Sequence, residues 1–282
     1  MPILYLLLHP AARLSWQDFS VHWSTVIGLA ALQALYEWRL RVHASGGASA
    51  DETAGPSVGR RASFTLGLLV MFVTLNGPLH DLSDYYLFSA HMVQHLILAL
   101  MVPPLLLYGT PGWMLRPALD LPGVRTIATR VSGGRAAFAI FNLTMAFWHL
   151  PPMYNTAMTF HPVHIAQHLT MLIAATIMWW PLLSPLPELP RLSYPGQMLY
   201  SFLMTIPMSV VAVYITMADH ALYPAYSSAP RIWGFTPLAD QQLGGLIMWI
   251  PGGLFFVGVA SFVFFKWSAS GADSEKGAQV RN

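Results

Sequence analysis

Apolar stretches recur along this chain at lengths matched to a lipid bilayer, and that recurrence leaves few folds open. Seven segments, at about 19–40, 62–79, 85–108, 135–150, 163–183, 196–218 and 241–267, approach or exceed the roughly 20 residues that a spanning helix requires. Hydrocarbon cannot satisfy backbone N–H and C=O groups, so a spanning element must be a helix or part of a closed barrel. Runs of this length predict helices. Composition agrees, since only 9% of the residues are charged, against about 25% in soluble domains.

The expected fold class is all-α, a polytopic membrane protein built as a seven-transmembrane-helix bundle. One domain covers 1–267, and the polar segment 268–282 reads as a disordered cytoplasmic tail. The fourth segment is the shortest, stopped by Pro151-Pro152, while Pro103-Pro104, Pro207 and Pro251 predict kinks inside others. The stretch 44–59, rich in Gly, Ser and Ala, reads as a loose connection, and 1–9 as an interfacial segment instead of a signal peptide. Positive loops stay in the cytoplasm. Twelve of the fourteen Lys and Arg residues fall on one side of the seven segments, leaving Arg13 and Arg231 on the other. That split sets the N-terminus outside and the C-terminus inside, which requires an odd number of spans. A net charge of +2 with dispersed cations argues against a nucleic-acid partner.

The chain has no cysteine, which removes disulfides, iron–sulfur clusters and thiolate metal sites. It has eleven histidines, and this topology puts all but His43 in or near the outer half. His91 and His95 are four residues apart, so their rings share a helix face about 6 Å apart along the axis. His161, His164 and His168 repeat the pattern with spacings of three and four. An ionisable ring at membrane depth is costly without a partner, which marks His91/His95 and His164/His168 as functional. His9, His22 and His161, taken singly, read as interfacial residues.

Other groups complete a candidate site. His149 closes the fourth segment with Met145 four residues earlier; His220 closes the sixth beside Asp219; His80, with Asp81 and Asp84, ends the second. A carboxylate beside a ligand histidine accepts its second N–H and fixes the tautomer. The metal-ligand candidates are therefore His91, His95, His149, His164, His168, His80 and His220. Most of the 15 methionines read as core packing, and Trp148, Trp179, Trp180, Trp233, Trp249 and Trp267 as aromatics at the membrane borders. The segment 222–240, with Tyr223, Tyr226 and Trp233, reads either as a lid over the outer site or as an anchor.

Imidazole clusters suit copper, zinc, iron or nickel, and thioether at the margin tilts toward Cu(I). Facing histidines equally suit axial ligation of haem b. With no nucleophile–base constellation, phosphate loop or HExxH helix, no enzyme is expected.

Five stretches carry a family resemblance. HMVQHLILALMVPPLLLYGTP (91–111), FWHLPPMYNTAM (147–158), HPVHIAQH (161–168), WWPLL (179–183) and DQQLGGLIMWIPGG (240–253) resemble the multi-span, CtaG-like cytochrome c oxidase assembly factors. The cysteine-using, single-span copper proteins that share the CtaG name are different. The resemblance spans the third to seventh segments and implies an accessory protein for maturing a haem–copper oxidase, handling copper at the outer side of a bacterial inner (plasma) membrane. Its matching positions are His91, His95, His149, His164 and His168. The expected partners are membrane lipid, cytochrome c oxidase subunits and a copper ion. On this expectation two imidazole pairs bind copper, His149 with His220 or His80 relays it, and the 222–240 segment gates transfer. The alternatives are a cytochrome with bis-His haem between the third and fifth helices, and a transporter with a histidine-lined path.

Overall fold

The computed structural model describes residues 20–45 and 56–279, with side chains described as far as Ser270. His9, Arg13, the 1–9 segment and most of the 44–59 connection lie outside the described residues. All described elements are helical. The chain opens with α1 (Trp23–Ser45), α2 (Val58–Leu75) and a short α3 (Pro78–Tyr85). Next, α4 (Phe88–Leu96) passes through a π-helical turn, Ile97–Met101, into α5 (Val102–Gly109), followed by α6 (Gly112–Leu119) and α7 (Val124–Val131). The second half comprises α8 (Gly134–His149), α9 (Pro151–Thr159), α10 (His161–Leu183), α11 (Tyr194–Thr216), α12 (Pro224–Ser227) and α13 (Pro237–Gln279).

A helix occupies each of the seven expected segments. Among the described residues five stretches are long and apolar enough to cross a membrane: Val58–Leu75, Phe88–Gly109, His161–Leu183, Tyr194–Thr216 and Pro237–Ser270. The other two fall short for different reasons. α8 has 16 residues, which at 1.5 Å per residue is about 24 Å against a hydrocarbon core of roughly 30 Å. α1 carries Glu37, Arg39 and Arg41 in its second half. Past the expected end at 267, α13 continues as helix to Gln279.

Two departures from the expected segments shape the histidine end. α2 stops at Leu75 because Gly77 adopts φ 86°, a conformation that favours glycine, and Pro78 starts a new helix. His80 therefore sits on α3, folded against α4. The second departure is the π-helical turn after His95 and Leu96. Pro103 has no N–H to give the Ala99 carbonyl four residues earlier, and the Trp179 indole donates to that carbonyl at 2.9 Å. Trp179, expected at a membrane border, is instead a buried core residue.

The main core gathers α4, α8, α10, α11 and α13 around Phe88, Met92, Met145, Met178, Met204 and Phe256. α11 and α13 form the most extensive helix pair. Their approach depends on Gly245, where a β-carbon would overlap the Thr216 hydroxyl, while the adjacent Gly244 lets α13 approach α4, since a β-carbon there would overlap the Phe88 ring. A smaller core of Tyr36, Phe64, Leu68, Met71, Leu98 and Val102 attaches α1 and α2 to the rest. Large apolar side chains such as Leu143, Ile173, Val210 and Phe262 are exposed along the long helices, as lipid-facing surfaces require.

Candidate metal centre

The four-residue spacing places His91 and His95 on one face of α4, and their Nε2 atoms lie 2.9 Å apart. α10 repeats the arrangement, with the Nε2 atoms of His164 and His168 also 2.9 Å apart. A third pair forms between segments: His80 on α3 meets His22, just before α1, with Nε2 atoms 2.8 Å apart. Two nitrogens bound to one ion at roughly 2.0–2.1 Å sit about 3 Å from each other, so each pair has the spacing of co-ligands.

The pairs are neighbours. Ring centroids are 5.8 Å apart for His91 and His164, 5.9 Å for His91 and His168, and 5.4 Å for His95 and His168. His149, at the end of α8, reaches His95 at 6.0 Å. Asp84 links the outer pair to the rest: its carboxylate lies 3.4 Å from His80 Nε2 and 3.7 Å from His164 Nδ1. A nitrogen of His91, a nitrogen of His164 and a carboxylate oxygen of Asp84 all lie within 4.8 Å of one another. The mouth of this cluster is a cavity of about 150 Å³ lined by His22, His80, Asp84, His161, His164 and His168.

Supporting hydrogen bonds set the tautomers of two rings. The Gln94 amide donates to His80 Nδ1 at 3.0 Å and to the Thr74 carbonyl at 2.8 Å, so the His80 proton resides on Nε2, beside the Asp84 carboxylate, and must leave before that nitrogen can ligate. His149 donates from Nδ1 to the Met145 carbonyl at 2.6 Å, leaving Nε2 with its lone pair; metal-binding histidines are typically oriented this way. The Nδ1 atoms of His91, His95 and His168 are buried with no hydrogen-bond partner. A buried polar atom left unpaired costs about 1–3 kcal/mol, and such atoms call for a partner, an ion or a water. Imidazoles with one carboxylate and no thiolate suit copper or zinc.

Tyrosines from the connection between α11 and α13 cover the cluster. Tyr223 donates to the His149 carbonyl at 2.9 Å, and Tyr226 to the Ser83 carbonyl at 2.7 Å. Tyr226 also meets the Tyr154 hydroxyl at 2.9 Å, and the Tyr154 ring lies 5.3 Å from His91. Burial pushes both the Tyr154 and Tyr226 hydroxyls well above the usual phenol range, so they stay protonated.

Six of the seven expected ligands thus come together, and His220 does not. α11 ends at Thr216, and the His220 side chain is 73% exposed, held by Asp219 at 2.6 Å. That hydrogen bond also draws the Asp219 carboxyl below its ordinary range. Asp84, His22, Gln94 and Tyr154 belong to the site but were not among the expected ligands. The four-residue step from His80 to Asp84 was a readable signal for Asp84; the other three are brought in by tertiary folding.

Comparison with known proteins found three relatives and one family. The chain is similar to an uncharacterized protein of Mycobacterium bovis and one of Mycobacterium tuberculosis, each 25% identical over 209 residues, covering 68% of this chain and 31% of the relative. A Mycobacterium leprae protein, also uncharacterized, is 23% identical over the same length. The chain thus spans about a third of the length of these curated relatives. No solved structure matches it. The sequence profile of the cytochrome c oxidase caa3 assembly factors matches residues 34–270, a span that holds the two helical histidine pairs, His80, Asp84 and His149. This membrane protein therefore belongs to the cytochrome c oxidase caa3 assembly factor (CtaG) family.

Proposed function

We propose that the protein binds copper at its histidine end and delivers it to a haem–copper cytochrome c oxidase during assembly. Family membership supports the oxidase as partner. The observation that carries the copper reading is the convergence of buried imidazole pairs, with Nε2 separations of 2.8–2.9 Å and with unpaired Nδ1 atoms on His91, His95 and His168. On this reading the helices of all seven segments cross a bacterial inner membrane, α1 and the short α8 included, with the N-terminus outside and the C-terminus in the cytoplasm. Arg39, Arg41, Arg60 and Arg61 then mark the cytoplasmic ends of α1 and α2, opposite the histidines.

Copper enters at the cavity around His22, His80 and Asp84, where a carboxylate attracts the cation. It passes inward by ligand exchange through His164 and His168 to His91, His95 and His149. Each step is short, since neighbouring rings are 4.3–6.0 Å apart. A cysteine-free donor set binds copper firmly yet exchanges it. Tyr223 and Tyr226 cover the cluster and gate release to the oxidase. A cavity of about 150 Å³ favours an ion over a haem, because pockets for drug-sized ligands run to roughly 300–1,000 Å³.

The test is made in cells that depend on this protein for oxidase assembly. Replacing it with the His91→Ala/His95→Ala variant is expected to leave the oxidase with its haem but short of copper. Oxidase with full copper content in those cells contradicts the proposal.

A further inference from the structure

Next to His95 and His149 lies a second chamber of about 30 Å³, separate from the mouth at His22 and Asp84. Its walls are dominated by methionine. Met92 comes from α4, Met145 from α8, Met171 from α10, Met208 from α11 and Met248 from α13. Each of the five helices that build the main core thus contributes one methionine to the same wall. All five side chains are buried, between 1% and 7% exposed.

Core packing alone does not require this composition, because leucine fills cores with better-defined rotamers. Leu96, Leu100 and Phe141 already line the same chamber. Gly252 makes room for one of the sulfurs: a β-carbon there would stand 2.8 Å from the Met208 methyl and 3.1 Å from its Sδ. Two imidazoles border the space as well. His95 Nδ1 is buried and unpaired, and His149 keeps a lone pair on Nε2. At about 30 Å³ the chamber exceeds the roughly 10–15 Å³ needed by one water-sized guest and excludes organic molecules.

We propose that this chamber is a Cu(I) site, in which methionine sulfurs together with His95 and His149 hold copper in its reduced state. The proposal rests on the copper reading above and adds an oxidation state and a second position to it. Soft thioethers select Cu(I) over harder divalent ions. A wholly neutral donor set in a low-dielectric interior also penalises a single positive charge less than a double one. The Asp84-bearing mouth, with a carboxylate and imidazoles, also accepts a divalent ion, but only copper that enters the mouth as Cu(I) moves on to the chamber, so its oxidation state does not change on the way and no electron transfer is assigned to the protein.

The experiment loads the detergent-purified full chain with Cu(I) under reducing conditions and reads copper–sulfur neighbours by X-ray absorption. It also measures Cu(I) affinity against a chromogenic Cu(I) chelator. Sulfur neighbours are expected in the wild type. In Met145→Leu/Met171→Leu/Met248→Leu, a volume-conserving change, the sulfur signal is expected to fall and Cu(I) affinity to drop by at least about tenfold, with Cu(II) capacity unchanged. Wild-type protein that binds Cu(I) through nitrogen alone overturns the chamber and leaves the copper reading standing. Wild-type protein that binds copper in neither oxidation state overturns both. The wild-type spectrum decides the point even where the triple variant fails to fold.

Discussion

Asp240 holds Ser89 twice across 151 residues of chain, accepting its backbone N–H at 3.1 Å and its hydroxyl at 2.5 Å. The same carboxylate accepts the Phe88 N–H at 2.7 Å. The first N–H groups of a helix have no partner within it, and the residue preceding α4, Leu87, supplies no side-chain cap. α13 therefore caps α4 from outside, with a negative charge where the helix dipole favours one. His91 follows two residues later, so this buried contact fixes where the histidine face of α4 begins.

Asp240→Ala is expected to destabilise the protein by about 1–3 kcal/mol, the cost of a lost cap and of buried N–H groups left unpaired. Thermal unfolding in detergent reads the loss as a lower Tm. Copper retention is expected to fall with it, because the start of α4 is no longer fixed. An unchanged Tm contradicts the capping role.

His91→Ala combined with His95→Ala is expected to abolish copper binding while the helical circular dichroism and gel-filtration profile stay as in the wild type. The two rings bond mainly to each other, so removing both leaves no new unpaired partner in that pair. Unchanged copper stoichiometry in the double variant counts against these ligands.

His220 and His149 make a contrasting pair. His220→Ala is expected to leave copper content unchanged, since its ring is exposed and held by Asp219. His149→Ala is expected to weaken binding by about 10-fold or more, the scale seen when groups that orient or complete a metal site are removed. Elemental analysis of both purified variants checks the contrast, and equal losses contradict it.

Gly244→Ala is expected to lower the Tm through overpacking of about 1–3 kcal/mol, because the added carbon meets the Phe88 ring. Gly253→Ala, about two and a half turns further along the same helix, meets no atom within 4 Å and is expected to be nearly silent. Equal effects contradict the close packing of α13 on α4.

The sequence revealed what local spacing controls. Apolar runs located the long helices, and four-residue steps placed His91 with His95 and His164 with His168 on single faces. What depends on backbone special cases or on packing between helices was not legible. Gly77 and Pro78 break α2 and turn His80 onto its own helix, which joins it to His22 from a distant segment. Trp179 reads as a border aromatic until the Ala99 carbonyl, left without a donor by Pro103, claims its indole. The five methionines are scattered in the chain, and only helix packing shows that they share a chamber. His220 was misplaced because its neighbour Asp219 looked like support for a ligand, whereas the end of α11 leaves both at the surface.

Copper content of the detergent-purified full chain, measured together with its absorption spectrum, tests the central claim most directly. The expected result is stoichiometric copper with no Soret band, lost in the His91→Ala/His95→Ala variant. A strong Soret band, or wild-type protein that takes up no copper, contradicts it.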